Sequence, residues 1–433
     1  MKKAAYPIVV LDEQQDQLDE IVSAFRSAGV NCDPILYDAM NDESYTGIEL
    51  LFLDVNLAPA PGQDDNAILS ILANVITTYI AEDNGPYVLI FWTTRPELIP
   101  QFKDFAVRDK DSKIYNHRPI YVDVLPKDDF IVQPRESIDS ILNLPIVKLV
   151  FSLHKKMHEA TTGAFKELIN CIPLTEHWGD NDSYIDEVKK VFTKIAVTSV
   201  GKDNASLLPD KAILEVVGKE VLHHLVKNAS SEWKDFLGIN PAIAENAKNT
   251  KNNKWQYNLN TVFHVENNDG RKTDRGAVLT AKKWAFDKLL GKDWIEWSKE
   301  EFGFEQSSDD KASYLPIALE ISASCDYAQG NPRLNRFILG LCRVSKERPS
   351  NNIESCGKSP FKKLGRHNIL PTFFIKGQYY KLVFSYNYVV GVNPSEVSNF
   401  EKIFTLRDEI TINITSGFAG YASRIGYVNI NES

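Results

Sequence analysis

Short apolar runs alternate with amphipathic stretches between residues 6 and 130, and this alternation most constrains what the chain can fold into. It is typical of βαβ units, in which parallel strands are joined by helices that cover the sheet. We predict five strands in this part of the chain: YPIVVL, CDPILY, IELLFLD, YVLIFWT and PIYVDVL. The long connections between the predicted strands make a parallel sheet the expected arrangement.

Three helices are predicted between these strands, with the sequences QQDQLDEIVSAFRSAG, NAILSILANVITTYIAE and PELIPQFKDFAV. In the first, Leu18, Ile21 and Phe25 recur at helical spacing, and Gly29 follows as a helix stop. The stretch between the second and third strands has no clear helical pattern. The predicted order is therefore βαβ, β, α, β, α, β.

The rest of the chain changes character twice. Residues 136–250 are predicted to be mostly helical, and NPAIAENAKNTKNNK is interpreted as a polar linker. After residue 255 strands predominate, including YNLNTVFHVE, LPIALEIS, NRFILGLCRV and a hairpin turning at Lys376 and Gly377, before a C-terminal helix. We predict three domains: an α/β domain at 1–140, a helical connector at 141–250 and, at 255–433, an α+β domain with an antiparallel β core.

Composition indicates a globular cytoplasmic protein. Charged residues make up 25%, no apolar run approaches the length of a membrane span, and the five cysteines include no CxxC pair. The net charge of −9 is concentrated at the N-terminus, where residues 1–135 hold about 22 acidic and about 11 basic side chains. This acidity argues against nucleic-acid binding by residues 1–135. Whether the rest of the chain binds nucleic acid is left open.

Polar residues end several of the predicted strands. Asp12 and Glu13 end the first, Asp54 ends the third, Thr93 ends the fourth and Lys127 follows the fifth. If the first and third strands are neighbours, as in a flavodoxin-like sheet, three carboxylates meet at one edge. Carboxylates that close repel one another and require a cation, and a site built from oxygen ligands suits Mg²⁺.

This set resembles the receiver domain of two-component response regulators, over about residues 1–150. The resemblance implies a flavodoxin-like five-stranded fold in which Asp54 accepts a phosphoryl group, with Thr93 and Lys127 contacting that group. It also implies Mg²⁺ held by a set of four ligands: Asp12, Glu13, Asp54 and the main-chain carbonyl of Asn56. The sequence departs from the family because Pro126 precedes the lysine and because insertions lengthen two loops. An alternative therefore remains open, in which the domain is a degenerate receiver that binds a partner without being phosphorylated.

The C-terminal region weakly resembles uncharacterised bacterial proteins with a Cys-Asp dipeptide. The matching residues here are Cys325, Asp326, Gln329 and Arg424 to Gly426. Cys325 could be a nucleophile, or it could bind a metal together with Cys342, Cys356 and His367. The third alternative is a buried structural cysteine, and we favour it because the spacing of these residues matches no standard zinc site.

The function expected from these features is that of a signalling protein, not a turnover enzyme, whose receiver-like domain controls a C-terminal interaction or effector region. The expected partner is a histidine-kinase-like or other ATPase, with no membrane, and a homodimer is left open. A role in bacterial anti-phage defence is a further hypothesis. The alternative is an effector hydrolase or nuclease gated by a degenerate receiver, with its site near Cys325 and Asp326.

Overall fold

The structure is a computed structural model in which the chain divides into two compact units. Unit 1 comprises residues 1–174 and 217–240, and unit 2 comprises residues 175–216 and 241–433. The predicted division into three domains stays a prediction. The described residues are 2–4, 6–57, 64–108, 113–172, 181–227, 237–249, 254–266, 270–281, 283–303, 312–322, 334–347 and 365–423.

Unit 1 contains a parallel sheet of five strands, as the sequence predicted. The strands of this unit are β1 (Lys2–Ala4), β2 (Ile8–Asp12), β3 (Asp33–Leu36), β4 (Ser44–Thr46), β5 (Leu50–Asp54), β6 (Val88–Thr93) and β7 (Tyr121–Pro126). The order in the five-stranded sheet is β3-β2-β5-β6-β7, and β1 pairs separately with β4. The first and third predicted strands, β2 and β5, are therefore hydrogen-bonded neighbours.

Helices cover both faces of this sheet. The helices of this part of the chain are α1 (Gln15–Ser27), α2 (Asp65–Tyr79), α3 (Leu98–Arg108), α4 (Lys113–Asn116), α5 (Lys127–Val132), α6 (Pro134–Leu142) and α7 (Pro145–Asn170). On one face α2 and α3 pack on the sheet, and on the other α1, α5 and α6 do. Because both faces are covered, every residue of β2, β5 and β6 is buried, which is why these strands are continuous apolar runs.

The helical stretch predicted after residue 136 continues beyond unit 1. Its further helices are α8 (Asn181–Val200), α9 (Lys202–Leu207), α10 (Pro209–Lys227), α11 (Pro241–Asn249) and α12 (Lys254–His264). Within the described residues, no helix by itself combines the length and the apolar composition of a membrane span. Only α6 and α7 taken together meet that test, and they are bent by 70° relative to each other.

Unit 2 contains an antiparallel sheet with two apolar faces. Its strands are β8 (Val265–Glu266), β9 (Ala277–Ala281), β10 (Ser313–Glu320), β11 (Asn335–Ser345), β12 (His367–Ile369), β13 (Phe373–Ile375), β14 (Gln378–Val392) and β15 (Phe400–Leu406). The order is β12-β14-β11-β10-β9-β15-β8, and β13 pairs with β14. Irregular register in β11 and β15 curls this sheet.

Among the described residues, the helices that follow α12 and flank the sheet of unit 2 are α13 (Lys283–Leu290), α14 (Trp294–Phe302) and α15 (Asp408–Ala422). Side chains from α13 and α14 pack on one face, and side chains from α15 pack on the other. The predicted hairpin is confirmed, because Ile375 pairs with Gln378. Lys376 and Gly377 between them both have positive φ, as a two-residue hairpin turn requires.

Two sequence predictions are wrong in detail. The segment YNLNTVFHVE was predicted as a strand, but residues 254–264 form α12 and the strand is limited to Val265–Glu266. Tertiary contacts outweigh β-propensity here, because Thr261 on α12 exchanges hydrogen bonds with the main chain of Phe374. The interpreted linker also contains a helix, α11.

Gly417 and Gly420 on α15 provide a matched test of how closely this helix packs. A Cβ atom on Gly417 would lie 2.1 Å from the hydroxyl oxygen of Tyr386, whereas one on Gly420 meets nothing within 4 Å. We expect Gly417→Ala to lower the free energy of unfolding by about 1–3 kcal/mol, as overpacking does. Gly420→Ala should raise it by up to about 1 kcal/mol through helix propensity. Urea unfolding followed by circular dichroism measures both, and equal effects would contradict the close contact.

Candidate functional site

The carboxyl ends of four parallel strands carry the polar residues that the sequence singled out. Asp12 ends β2, Asp54 ends β5, Thr93 ends β6, and Lys127 directly follows β7. Because parallel strands end at the same edge of a sheet, this topology brings residues from distant parts of the sequence to one rim.

Three carboxylates converge at this rim. Asp12 and Asp54 are 0% and 1% exposed, and Glu13 is half-buried. One carboxylate oxygen from each residue lies within 4.8 Å of the other two. We call Asp12, Glu13 and Asp54 the acidic cluster. Oxygen donors in such a number and spacing could hold a metal ion.

Lys127 lies against two of these carboxylates. Its ammonium nitrogen is 3.1 Å from Asp54 Oδ2 and 3.3 Å from Asp12 Oδ2, and it also donates a hydrogen bond to Gln17 Oε1. The same nitrogen lies 4.5 Å from the centre of the Trp92 ring, within cation–π range. The position follows from the chain, since α5 begins at Lys127 as soon as β7 ends.

Hydrogen bonds satisfy four of the six carboxylate oxygens of the acidic cluster. Asp12 Oδ1 accepts from the main-chain N–H of Gln14 at 2.9 Å, and Asp54 Oδ1 accepts from that of Val55 at 2.7 Å. Asp54 Oδ2 is buried and accepts no hydrogen bond of good geometry, although Lys127 is close to it, and Glu13 Oε2 is likewise buried without a partner. Buried polar oxygens without donors are uncommon, and a bound water or a cation would satisfy these two.

Burial raises the pKa of Asp54 to about 7. Attraction to Lys127 acts to lower this pKa, whereas repulsion from Asp12 and Glu13 adds to the rise. Burial also raises the pKa of Asp12, opposed by the hydrogen bond from Gln14 and by Lys127. One ammonium group does not compensate the desolvation of two carboxylates in this position. A cation held by the acidic cluster would favour the ionised form of both.

Thr93 is fully buried at the end of β6, and its hydroxyl oxygen accepts a hydrogen bond from the main-chain N–H of Arg95 at 2.9 Å. The Arg95 guanidinium contacts Asp65 at the start of α2, at 2.8 Å, and Glu97 before α3, at 3.2 Å. The loop after β6 is thereby tied to the N-terminal end of α2.

Two residues at the rim were missed by sequence reasoning. Gln17 contributes the third oxygen around Lys127, and Trp92 contributes the ring beside it. Trp92 was assigned only to a buried strand. Gln17 could have been suspected, because the first turn of α1 follows the end of β2 by only two residues. Asn56, a predicted ligand through its carbonyl, is half-buried two residues beyond β5.

The residues singled out in the C-terminal region give no comparable site among the described residues. Cys325, Asp326, Gln329, Cys356 and Arg424 to Gly426 lie outside them. Cys342 is buried in the apolar face that contacts α15, and this burial raises the pKa of its thiol. The His367 ring packs on Phe302, a residue of the opposite apolar face, and its Nε2 lies 2.9 Å from Glu301 Oε1.

The raised pKa of Asp54 predicts how stability depends on pH in metal-free buffer. The folded state holds the Asp54 proton more tightly than the unfolded state does, so stability falls as pH rises from 3.8 to about 7. Asp54→Asn should therefore raise the free energy of unfolding at about pH 8 by roughly 2–4 kcal/mol, and change it little near pH 4. Asp104→Asn, an exposed residue of α3, is the matched control. Parallel pH profiles for Asp54→Asn and the parent would contradict the prediction.

Comparison with known proteins adds no assignment to this geometry. No protein-family model matches the chain, and neither a curated protein nor a solved structure matches it.

Proposed function

We propose that the N-terminal part of this protein is a receiver-like domain in which Asp54 accepts a phosphoryl group and thereby regulates the C-terminal region. The observation that carries the proposal is the position of Lys127, 3.1 Å from Asp54 and 3.3 Å from Asp12 at the end of the sheet. Two features support it: the strand order places β2 beside β5, and Asp54 Oδ2 is a buried oxygen that accepts no hydrogen bond.

The acidic cluster suits Mg²⁺ as the ion that this chemistry requires. Mg²⁺ prefers oxygen ligands and commonly binds through a small number of carboxylates, so two or three carboxylates are an appropriate set. Asp12, Glu13 and Asp54 would hold it, together with the main-chain carbonyl of Asn56. When bound, the ion supplies positive charge that favours ionised Asp54 and offsets the charge of the transferring group.

The proposed transfer uses Asp54 and Lys127. Oδ2 of ionised Asp54 attacks the phosphorus of a phosphohistidine, the new P–O bond forms as the P–N bond breaks, and the imidazole leaves with the electron pair and takes up a proton. Lys127 then pairs with a phosphoryl oxygen in place of the Asp54 carboxylate, because the acyl phosphate carries its charge on the phosphoryl oxygens. The phosphohistidine would come from a histidine-kinase-like ATPase.

Thr93 provides a route by which the new charge changes the surface. To donate a hydrogen bond to the phosphoryl group its side chain must turn toward Asp54, which removes the acceptor of the Arg95 N–H. Arg95 holds Asp65 and Glu97 at the starts of two helices, α2 and α3. In this proposal the ion pairs of Arg95 rearrange on phosphorylation, and a partner protein or the C-terminal region recognises the changed surface.

A degenerate receiver, which binds its partner without accepting a phosphoryl group, is the alternative. In that case the contacts of Lys127 with Asp12 and Asp54 would serve only to neutralise buried charge.

Phosphorylation of the full-length protein separates the two possibilities. Incubation with acetyl phosphate and Mg²⁺ should add one phosphoryl group per chain, which intact mass spectrometry distinguishes from lysine acetylation and hydroxylamine removes. Asp54→Asn should abolish the addition, and Lys127→Met should slow it about tenfold or more, because the transferring charge loses its ammonium partner. Asp104→Asn should react like the parent. If the parent gains no phosphoryl group, or Asp54→Asn gains as much, the active switch is wrong.

Magnesium binding gives an independent test of the acidic cluster. Calorimetric titration of the parent with Mg²⁺ should show one ion, and Glu13→Gln should weaken binding about tenfold by removing a carboxylate ligand. Glu20→Gln, on the exposed side of α1, is the matched control and should bind like the parent. An unchanged affinity for Glu13→Gln would remove Glu13 from the proposed ligand set.

A further inference from the structure

A second cluster of metal-type ligands lies within unit 1, on α7 and on the part of α10 that follows residue 216. Glu167 belongs to α7, and Glu220 and His224 lie one turn apart on α10. One carboxylate oxygen from each glutamate and one imidazole nitrogen all lie within 4.8 Å of one another. We call Glu167, Glu220 and His224 the helical cluster. None of its members belongs to the acidic cluster.

His224 is buried and its Nε2 faces the two carboxylates without a hydrogen bond. The residue is 8% exposed, and Nε2 lies 3.3 Å from Glu167 Oε1 and 3.7 Å from Glu220 Oε1. Neither contact has hydrogen-bond geometry, and Nε2 is a buried atom without a partner. A buried ring nitrogen that faces two carboxylates without a hydrogen bond to either is uncommon, and a cation between them would give it a partner.

The imidazole is also held in a defined orientation. A Cβ atom on Gly163 of α7 would lie 2.8 Å from Nδ1 of His224, so only glycine leaves room for the ring there. Close packing against the α7 backbone fixes which nitrogen faces the carboxylates.

We propose that the helical cluster binds a divalent transition-metal ion, with zinc as the ion to test. Metal–ligand distances of about 2.0–2.2 Å and tetrahedral angles place two ligand atoms roughly 3.3–3.6 Å apart. The measured separations from Nε2 are 3.3 and 3.7 Å. One neutral imidazole and two carboxylates also match the charge of the ion.

The ligand chemistry selects this class of ion over Mg²⁺. Imidazole nitrogen suits zinc and related metals, whereas Mg²⁺ is bound through oxygen. Because the side chains of Glu167 and Glu220 are 57% and 40% exposed, a fourth position on the ion would be open to water. The ion would join α7 to α10. A protonated His224 paired with both glutamates is the competing interpretation, and it predicts no bound metal.

Zinc titration of the full-length protein tests the proposal. Asp54→Asn in millimolar Mg²⁺ serves as the background, so that the acidic cluster does not contribute. One Zn²⁺ per chain should bind, and Co²⁺ in its place should show the intense visible absorption of a four-coordinate ion. His224→Ala should weaken zinc binding about a hundredfold and Glu220→Gln about tenfold. Matched exposed residues, in His223→Ala and Glu159→Gln, should leave the affinity within about twofold of the background.

Gly163→Ala gives a test that keeps all three ligands. The added methyl group displaces the His224 ring, so zinc affinity should fall about tenfold while the helical circular dichroism signal stays unchanged. Absence of zinc binding in the background protein, or an unchanged zinc affinity in both His224→Ala and Glu220→Gln, would overturn the proposal. Neither result bears on phosphorylation of Asp54, which is measured on a different residue.

Discussion

The rim of the N-terminal sheet depends on the contact of one ammonium group with two buried carboxylates. Asp12 and Asp54 are removed from water by the same packing that buries β2 and β5, and each ionised carboxylate without compensation costs several kcal/mol. Lys127 supplies one positive charge for both, and the pKa of Asp54 stays raised to about 7. One ammonium group beside two buried carboxylates and a half-buried third leaves the rim negatively charged when they are ionised, so a divalent cation would be attracted to it.

A buried carboxylate in unit 2 shows the opposite arrangement. Burial acts to raise the pKa of Glu301, but hydrogen bonds from His367 and Ser385, together with Arg366, more than offset it and leave the pKa lowered. This group has its partners within the fold, as a structural buried charge should. Asp54 Oδ2 and His224 Nε2 have charged neighbours but no hydrogen-bond partner, and that difference is why the proposals concern those two atoms.

Much of the N-terminal fold could be predicted from the sequence, because its three central strands, β2, β5 and β6, are buried on both faces and its helices are amphipathic. The end of β5 at Asp54 and the helix from Gln15 to Ser27 follow from such patterns. The segment at 257–266 could not be predicted, since its apolar and β-branched residues fit a strand or a helix equally well. In the helix, the Thr261 hydroxyl exchanges hydrogen bonds with the main chain of Phe374 on β13, and such tertiary contacts favour the helix over the strand.

The sequence by itself determined which residue types end the strands, because alternation of apolar runs and polar breaks is a local property. Only the tertiary structure decided that Lys127 meets Asp12 across 115 positions, and that Gln17 completes its surroundings. Likewise, the pattern of α10 places Glu220 one turn before His224, but the pairing with Glu167 and the room beside Gly163 arise from how α7 packs against it. Periodicity reports which face of an element is apolar, whereas the distance between two side chains depends on how separate elements pack.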